Sequence, residues 1–451
     1  MNKTLALAAF AALAGSAFAQ VDLQMDKVTI MRAVGSSHVA GTPFVGESVV
    51  VKVDWAVAGY EDPNPYVVRV KMGGQTKEAQ IGSVGGYLNS VYFVFRGGFD
   101  TNVTAVATLD PDNESGEAGY TRADNQKSVS FTPVPIDKTI EYFSPVTWQG
   151  EIRQTMTLSS VQSGATVEVV APRPTSDSFQ RVNSTIGLFQ RSVDPVPYAL
   201  TQKTGDATGH PLYHNVINAK AGMFTAYTSA NITASNVRIN RAKMTATWSQ
   251  VDSLKNVAIF NTYTLPQASA QSTSATIQNY VVSTLGSNYR STMTPIEAAR
   301  RLFQRVVRDI TYYAEPDKPW DAVSVLQQRR GDCAGYALLY QACMRAIGIP
   351  TRMVAGCWAT EEFSAHCWSE FWMPGAGWVP ADACGSRGAD PTGNTLYQFG
   401  IFTNLNSRIA LSRGVELKAG SLSWVVLQGP WLRFSKTSSS PVVCTATWSR
   451  V

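Results

Sequence analysis

The stretch from Arg330 to Asp382 constrains the fold of this chain more than any other. After Cys333, the residues Tyr336, Leu339, Tyr340, Cys343 and Ile347 recur at helical spacing. Gly348 fits the left-handed position that ends a helix, and Pro350 prevents continuation. A buried helix of about four turns is predicted, with Cys333 at or beside its N-terminus. Thr351–Gly356 then reads as a strand. Beyond the polar loop Thr360–Ala365, His366, Trp368, Glu370 and Trp372 point to one face, and Cys367, Ser369 and Phe371 to the other. Pro374-Gly375-Ala376-Gly377 is a turn, and Trp378–Asp382 is the return strand. A turn centred near Gly375 sets Trp372 opposite Trp378 and Trp368 opposite Asp382. His366 is then one diagonal step from Asp382, within side-chain reach.

Those positions suit thiol chemistry. Unpaired N–H groups and the positive dipole end of a helix favour thiolate over thiol at Cys333. The same N–H groups can stabilise the oxyanion formed when a thiolate attacks a carbonyl. Asp382 can accept one imidazole N–H and fix the tautomer, while the other ring nitrogen faces Cys333. Nucleophile, base and orienting group are then in sequence. Taken alone, an exported cysteine is by default a buried small hydrophobe or half of a disulfide; the downstream His366 and Asp382 argue against that here. Glu370 is expected to pair with Arg352 or another cation, and Trp368, Trp372 and Trp378 to pack on the sheet. Cys357, Cys367 and Cys384 fall on neighbouring strands, where a bridge among them fits. A zinc site does not, because Cys357-x8-His366-Cys367 matches no usual ligand spacing.

Four motifs in order carry a family resemblance. They are Gly331-Asp332-Cys333 with its helix, Met344-Arg345-Ala346-Ile347-Gly348-Ile349-Pro350-Thr351-Arg352, His366-x-Trp368-x-Glu370, and Gly377-Trp378-Val379-Pro380-x-Asp382. With the lead-in Asp309-Ile310-Thr311-Tyr312, they resemble the transglutaminase-like core over residues 275–410. The resemblance implies a papain-like fold in which a Cys-bearing helix packs on an antiparallel sheet bearing His and Asp. It implies Cys333 as nucleophile, His366 as general base and acid, and Asp382 as orienting carboxylate. The family often places an aromatic or polar side chain near the oxyanion; Trp320 is the candidate, against a packing role. No cofactor and no metal are expected.

The rest of the chain reads as an α+β protein of several domains. Residues 1–19 resemble an export signal: Lys3, the apolar run Leu5–Leu13, and Ala17-Phe18-Ala19 as a cleavage site. The apolar run is shorter than the roughly 20 residues a membrane span needs. Residues 20–136 read as an immunoglobulin-like β-sandwich, with Val51, Val53, Trp55 and Val57 facing one way and Lys52, Asp54 and Ala56 the other. Further strands are expected at Tyr66–Lys71, Val91–Arg96 and Val103–Leu109. Asp110-Pro111-Asp112-Asn113-Glu114-Ser115 followed by Ala123-Asp124-Asn125 resembles the end of CARDB-like adhesion domains, and as a loop it reads as an Asx-rich turn before a calcium site.

Pro133-Val134-Pro135 marks a linker to a second all-β, sandwich-like domain at 137–268, with strands at Thr139–Phe143, Arg153–Leu158, Ala165–Val170 and Met244–Trp248. His210 and His214 read as loop histidines rather than a metal pair, since Pro211 sits between them. The catalytic domain is expected at 269–410, opened by a helix with Thr294 at N-cap, Pro295 at N1 and Glu297 completing a capping box. A β-rich tail at 411–451, with strands at Val415–Leu417, Leu422–Leu427 and Val442–Trp448, is expected to pack on it.

Function follows from the same residues. The net charge of +5 is small and scattered, which gives nucleic-acid binding little support. No later run is apolar enough to span a membrane. Of the six cysteines, five lie between Cys333 and Cys384, so a free Cys333 leaves one thiol unpaired even with two bridges. The expected activity is an exported, periplasmic or extracellular cysteine enzyme that opens amide bonds of proteins or peptides through an acyl-thioester. Hydrolysis by a peptidase or amidase is favoured, because nothing marks a second amine site. Cross-linking to lysine amines is the alternative, and a non-catalytic adhesion or scaffold protein that keeps the fold is another. Substrates are expected to be proteins or peptides, cell-wall or surface peptides among them.

Overall fold

The computed structural model describes residues 22–34, 37–58, 65–81, 88–95, 99–112, 121–204, 210–360, 362–388, 397–414, 416–419, 422–425 and 427–451. The expected export signal, the Asn113-Glu114-Ser115 part of the acidic turn and Val415 lie outside them. The chain divides into two units, Met1–Val134 and Pro135–Val451.

In the first unit, two four-stranded antiparallel sheets enclose one core. One has the order Ser37–Ala40, Asp22–Val34, Val49–Ala58, Asn89–Phe95; the other Gln75–Ile81, Tyr66–Met72, Val103–Leu109, Gln126–Phe131. The alternation over Val49–Ala58 sorts as the sequence dictates. Val51, Val53, Trp55 and Val57 enter the core, while Lys52 and Asp54 make an ion pair at 2.7 Å on the other face. Gln75–Ile81 carries too many polar residues for alternation to reveal it, being an edge strand with most side chains in water.

The second unit begins with a very long strand, Ile140–Val161, paired antiparallel to Gly222–Ile239, which pairs in turn with Gln180–Arg191. The expected strands Thr139–Phe143, from Ile140 on, and Arg153–Leu158 are both parts of Ile140–Val161. A second sheet, Gln202–Thr204, Pro211–Asn218, Thr166–Pro172 and Trp431–Phe434, faces it, and Met156, Val167, Val169, Phe189, Tyr213 and Phe224 fill the space between. His214 lies on the Pro211–Asn218 strand rather than in a loop, with Nε2 2.9 Å from Glu168 Oε1. Met244–Trp248 is not a strand. Thr247 accepts the N–H of Gln250 and the Gln250 side chain accepts the N–H of Thr247, a capping box that starts the helix Trp248–Ser253.

Helices follow at Ala275–Leu285, Pro295–Asp309, Ala322–Gln328 and Cys333–Ala346. Thr294 caps Pro295–Asp309 by accepting the Glu297 N–H at 3.4 Å. The Glu297 carboxylate instead takes Arg241, Arg300 and Arg301, whose charge-assisted bonds are stronger than a back-bond to the cap. A four-stranded antiparallel sheet comes next, in the order Gly377–Ala381, Ala365–Met373, Thr351–Trp358, Arg408–Arg413. One face of it carries the Cys333 helix. The other packs on the long-stranded sheet through Ile152, Ile232, Cys357, Ile409, Leu411 and Trp448, and through Phe179, Val237, Val354, Trp368 and Phe402.

The tail does more than pack on the region expected to be catalytic. Thr437–Ser439 and Val443–Arg450 pair with Ile140–Val161, and Trp431–Phe434 pairs with Thr166–Pro172. Both sheets of the preceding β-region are thus completed by the last strands of the chain. Among the described residues, no helix is long and apolar enough to cross a membrane.

Candidate active site

Cys333 is the first residue of its helix. Asp332 is the N-cap, its Oδ1 accepting the Gly335 N–H at 3.0 Å. Just upstream, Thr311–Tyr312 and Arg330–Gly331 form a short parallel pair that fixes where the helix starts. The Tyr336 hydroxyl donates to the Ile310 carbonyl and fastens the first turn. From Gly335 to Arg345 every residue is buried.

Helix and strand run in step. Ser369 Oγ donates to the Ala337 carbonyl at 3.1 Å, and Phe371 meets Tyr340 edge-on at 6.4 Å. Four helical residues advance about 6 Å and two strand residues about 6.7 Å, so the step before Ala337 and Ser369 sets Cys333 against Cys367. By alternation His366 belongs to the opposite face, yet its charge also acts on Cys333. Two successive side chains at the strand's beginning therefore hold one thiol.

His366 Nε2 lies 2.6 Å from Asp382 Oδ2, which leaves Nδ1 for Cys333. The hairpin register is the one the sequence predicts: Trp372 opposes Trp378, and the ladder runs to Ser369 opposite Ala381. Asp382 itself has left the strand and caps the short helix Ala383–Arg387, its Oδ1 accepting the Gly385 N–H at 2.8 Å. A Cβ at position 385 would stand 2.5 Å from Asp382 Oδ2, so glycine keeps that oxygen's approach clear. At Gly356, directly across from His366, a Cβ would meet the Ile409 carbonyl at 2.1 Å; glycine here lets the strand Arg408–Arg413 come close.

That strand brings a residue the sequence did not disclose. Arg408 Nη1 donates to Asp382 Oδ2 at 2.8 Å, and Nη2 donates to Gln398 Oε1 at 2.8 Å. Its guanidinium, 1% exposed, lies 4.5 Å from the Trp358 ring and 5.6 Å from that of Trp368. Both tryptophans also flank the His366 ring, at 5.5 and 6.2 Å. Asp382 thus answers two cationic partners and a helix end.

The electrostatics match this layout. The hydrogen bond from Cys367, opposed by burial and assisted by the hydrogen bond and charge of His366, lowers the Cys333 thiol to about 5. Burial disfavours an imidazolium at His366, but the charge and hydrogen bond of Asp382 outweigh it and raise the ring to about 9. Burial also works against Asp382, and His366 and Arg408 overcome it, holding the carboxyl well below the usual range. Donation to Cys333, and then burial, keeps Cys367 protonated. Gln428 Nε2 in turn donates to Cys367 Sγ at 3.2 Å. Both shifts favour a thiolate beside an imidazolium.

Of the residues singled out from the sequence, Cys333, His366 and Asp382 come together. Trp320 is 53% exposed and holds the Lys318 ammonium 4.6 Å over its ring. Lys318 pairs with Asp332 at 3.1 Å, so Trp320 adjoins the start of the Cys333 helix through that lysine. Glu370 pairs with Arg352 at 2.6 Å, as expected. The bridge expected among Cys357, Cys367 and Cys384 is absent, and all six cysteines are free thiols. Cys384 sits on the helix after the return strand rather than in the sheet, and Cys367 is engaged with Cys333. Among the described residues, no group of His, Cys, Asp and Glu could hold a metal ion.

Residues 283–383 carry a transglutaminase-like core, matching the transglutaminase-like superfamily. A protein-glutamine gamma-glutamyltransferase of Pseudomonas aeruginosa is 40% identical over 65 residues, which is 12% of this chain and 10% of that protein. This chain therefore matches only about a tenth of the length of that curated relative. Among solved structures, a candidate cysteine protease from Cytophaga hutchinsonii is similar over 68% of this chain and 92% of its own, with 14% identity and a TM-score of 0.48. The CARDB domain of a Pyrococcus furiosus protein is similar over 27% of this chain and 100% of its own, with 17% identity and a TM-score of 0.21.

Proposed function

We propose that this protein is an exported cysteine enzyme that opens amide bonds of proteins or peptides, with Cys333 as nucleophile, His366 as base and acid, and Asp382 as the carboxylate that orients His366. One observation carries this reading: the imidazole whose charge lowers the half-buried thiol at a helix start has its Nε2 2.6 Å from a buried carboxylate. In the proposed cycle the Cys333 thiolate attacks the amide carbon, and the oxyanion forms beside the free N–H groups at the helix start. The C–N bond then breaks as His366 passes its proton to the leaving amine. An acyl-thioester remains on Cys333. Water, deprotonated by His366, releases the acid and restores the thiolate.

Hydrolysis is the outcome we favour, because water needs no second amine site. Acyl transfer to a lysine amine uses the same steps, and the 40% identity to a protein-glutamine gamma-glutamyltransferase over 65 residues supports it as the second reading. Mass spectrometry of a peptide library incubated with the protein, with and without a primary amine, separates the two. Cleavage or deamidation that ignores the amine supports hydrolysis; amine-dependent adducts support transfer. Cys333→Ala should abolish either product. If iodoacetamide labels the wild type as slowly as His366→Ala, the enzyme reading fails and the scaffold reading takes its place. Export predicts a mature protein outside the cytoplasm beginning after Ala19, which N-terminal sequencing checks.

A further inference from the structure

The strand that carries His366 at its start carries Trp372 near its other end, six residues or about 20 Å away. There Trp372 and Trp378 form part of the wall of a cavity of about 370 Å³, near the small end of the range for ligand sites, about 300–1,000 Å³. Phe260 completes an aromatic side, its ring 4.4 Å from that of Trp372 and 6.2 Å from that of Trp378. All three rings are only half-buried.

The remaining wall is polar and incompletely bonded. Arg352, Arg413 and His210 line it. His210 and Arg413 are 7% and 3% exposed, and His210 Nε2 and Arg413 Nε and Nη2 are buried with no hydrogen-bond partner. Buried donors and acceptors are almost always satisfied; the Arg413 nitrogens already face the Asp177 and Glu370 carboxylates, so it is His210 Nε2 that points to a missing hydrogen-bonding group. Charge, by contrast, is already balanced. Arg352 lies 2.6 Å from Glu370 and 3.7 Å from Asp177, and Arg413 pairs with Asp177 and lies 3.6 Å from Glu370.

We infer that this cavity is a binding site for a neutral pyranose, a mono- or disaccharide unit. A fully charged ligand would leave one charge uncompensated beside two cations and two carboxylates that already cancel. Hydroxyl groups both donate and accept, so they answer either tautomer of His210. The apolar C–H faces of a pyranose lie on flat indole and phenyl rings. The site stands independently of the thiol chemistry at Cys333.

Isothermal titration calorimetry of the full chain with N-acetylglucosamine, glucosamine and glucuronate tests it, because the three probes share a ring and differ in charge. Saturable binding of N-acetylglucosamine is expected, with the cationic and anionic sugars weaker by about tenfold or more, the loss a mismatched buried charge brings. Trp378→Ala and Phe260→Ala should each weaken it severalfold. Thermal unfolding confirms that the variants are folded, and Phe260→Ala serves if Trp378→Ala is not. Cys333→Ser should bind as wild type does, so failure of the thiol reading leaves this result unaffected. The proposal is overturned if no saturable heat appears with N-acetylglucosamine, if a charged sugar binds as tightly, or if both aromatic variants keep wild-type affinity.

Discussion

The pair of values at Cys333 and His366 sets how the protein should respond to pH. The first proton leaves the pair near about 5 and gives thiolate and imidazolium; the second leaves near about 9 and gives thiolate and neutral imidazole. Iodoacetamide labelling should therefore rise through about pH 5 and stay high, while amide turnover, which needs the imidazolium as acid, should fall again above about pH 9. A labelling midpoint near an ordinary thiol value would refute this. Stability follows the same groups. His366 has its folded value raised, so its contribution is complete below its unfolded value and is lost as pH rises through about 9. Asp382 has its value depressed, so its contribution is complete above the ordinary carboxylate range and is lost as pH falls below it. Arg408 stands behind both. Arg408→Met strips Asp382 of a buried partner and should cost about 3–5 kcal/mol in a denaturant titration. Lys318 acts more gently: it pairs with Asp332, whose charge opposes the thiolate. Lys318→Met should move the labelling midpoint upward.

At the scale of elements, Asp382 has two duties that a substitution can separate. Asparagine also caps helices, so Asp382→Asn should keep the bond to the Gly385 N–H while removing the anion from His366. Folded protein with slow labelling and a lowered imidazole value by NMR is the expected result; wild-type labelling would show that the carboxylate is not needed. The hairpin bearing these groups was legible because its turn is marked by Gly375 and Gly377, both at positive φ, and because Trp372 and Trp378 fix the register. The Cys333 helix was legible for a similar reason, with an Asp cap, helical spacing and Gly348 as its stop. Arg408 was not. It arrives on a strand 26 residues beyond Asp382, and no local pattern distinguishes an arginine bound for a buried carboxylate from one bound for water. The strand Gly222–Ile239 escaped because its Thr, Ser and Asn residues carry little hydrophobic alternation, and Met244–Trp248 was misread because Thr247 acts as a cap. The expected disulfide failed on placement: Cys384 belongs to a helix that begins one residue after Asp382.

In the whole second unit, the sheet that carries His366 lies between the Cys333 helix and a β-layer that Trp431–Phe434, Thr437–Ser439 and Val443–Arg450 complete. Removing residues 431–451 would strip Ile140–Val161 of Val443–Arg450 and uncover Ile152 and Ala230, which share a core with Ile409 and Leu411. Such a truncation should lower the thermal midpoint by many degrees and slow labelling of Cys333, although no residue of the triad is touched; an unchanged midpoint would sink this view. The pairing spans the chain: Ser449 Oγ donates to the Gln149 carbonyl across 300 residues. Contacts so far apart form late, since a long loop must close before they give anything back. A ribosome delivers Val443–Arg450 more than a hundred residues after Cys333. The platform under the thiol is therefore finished well after the thiol itself has been made.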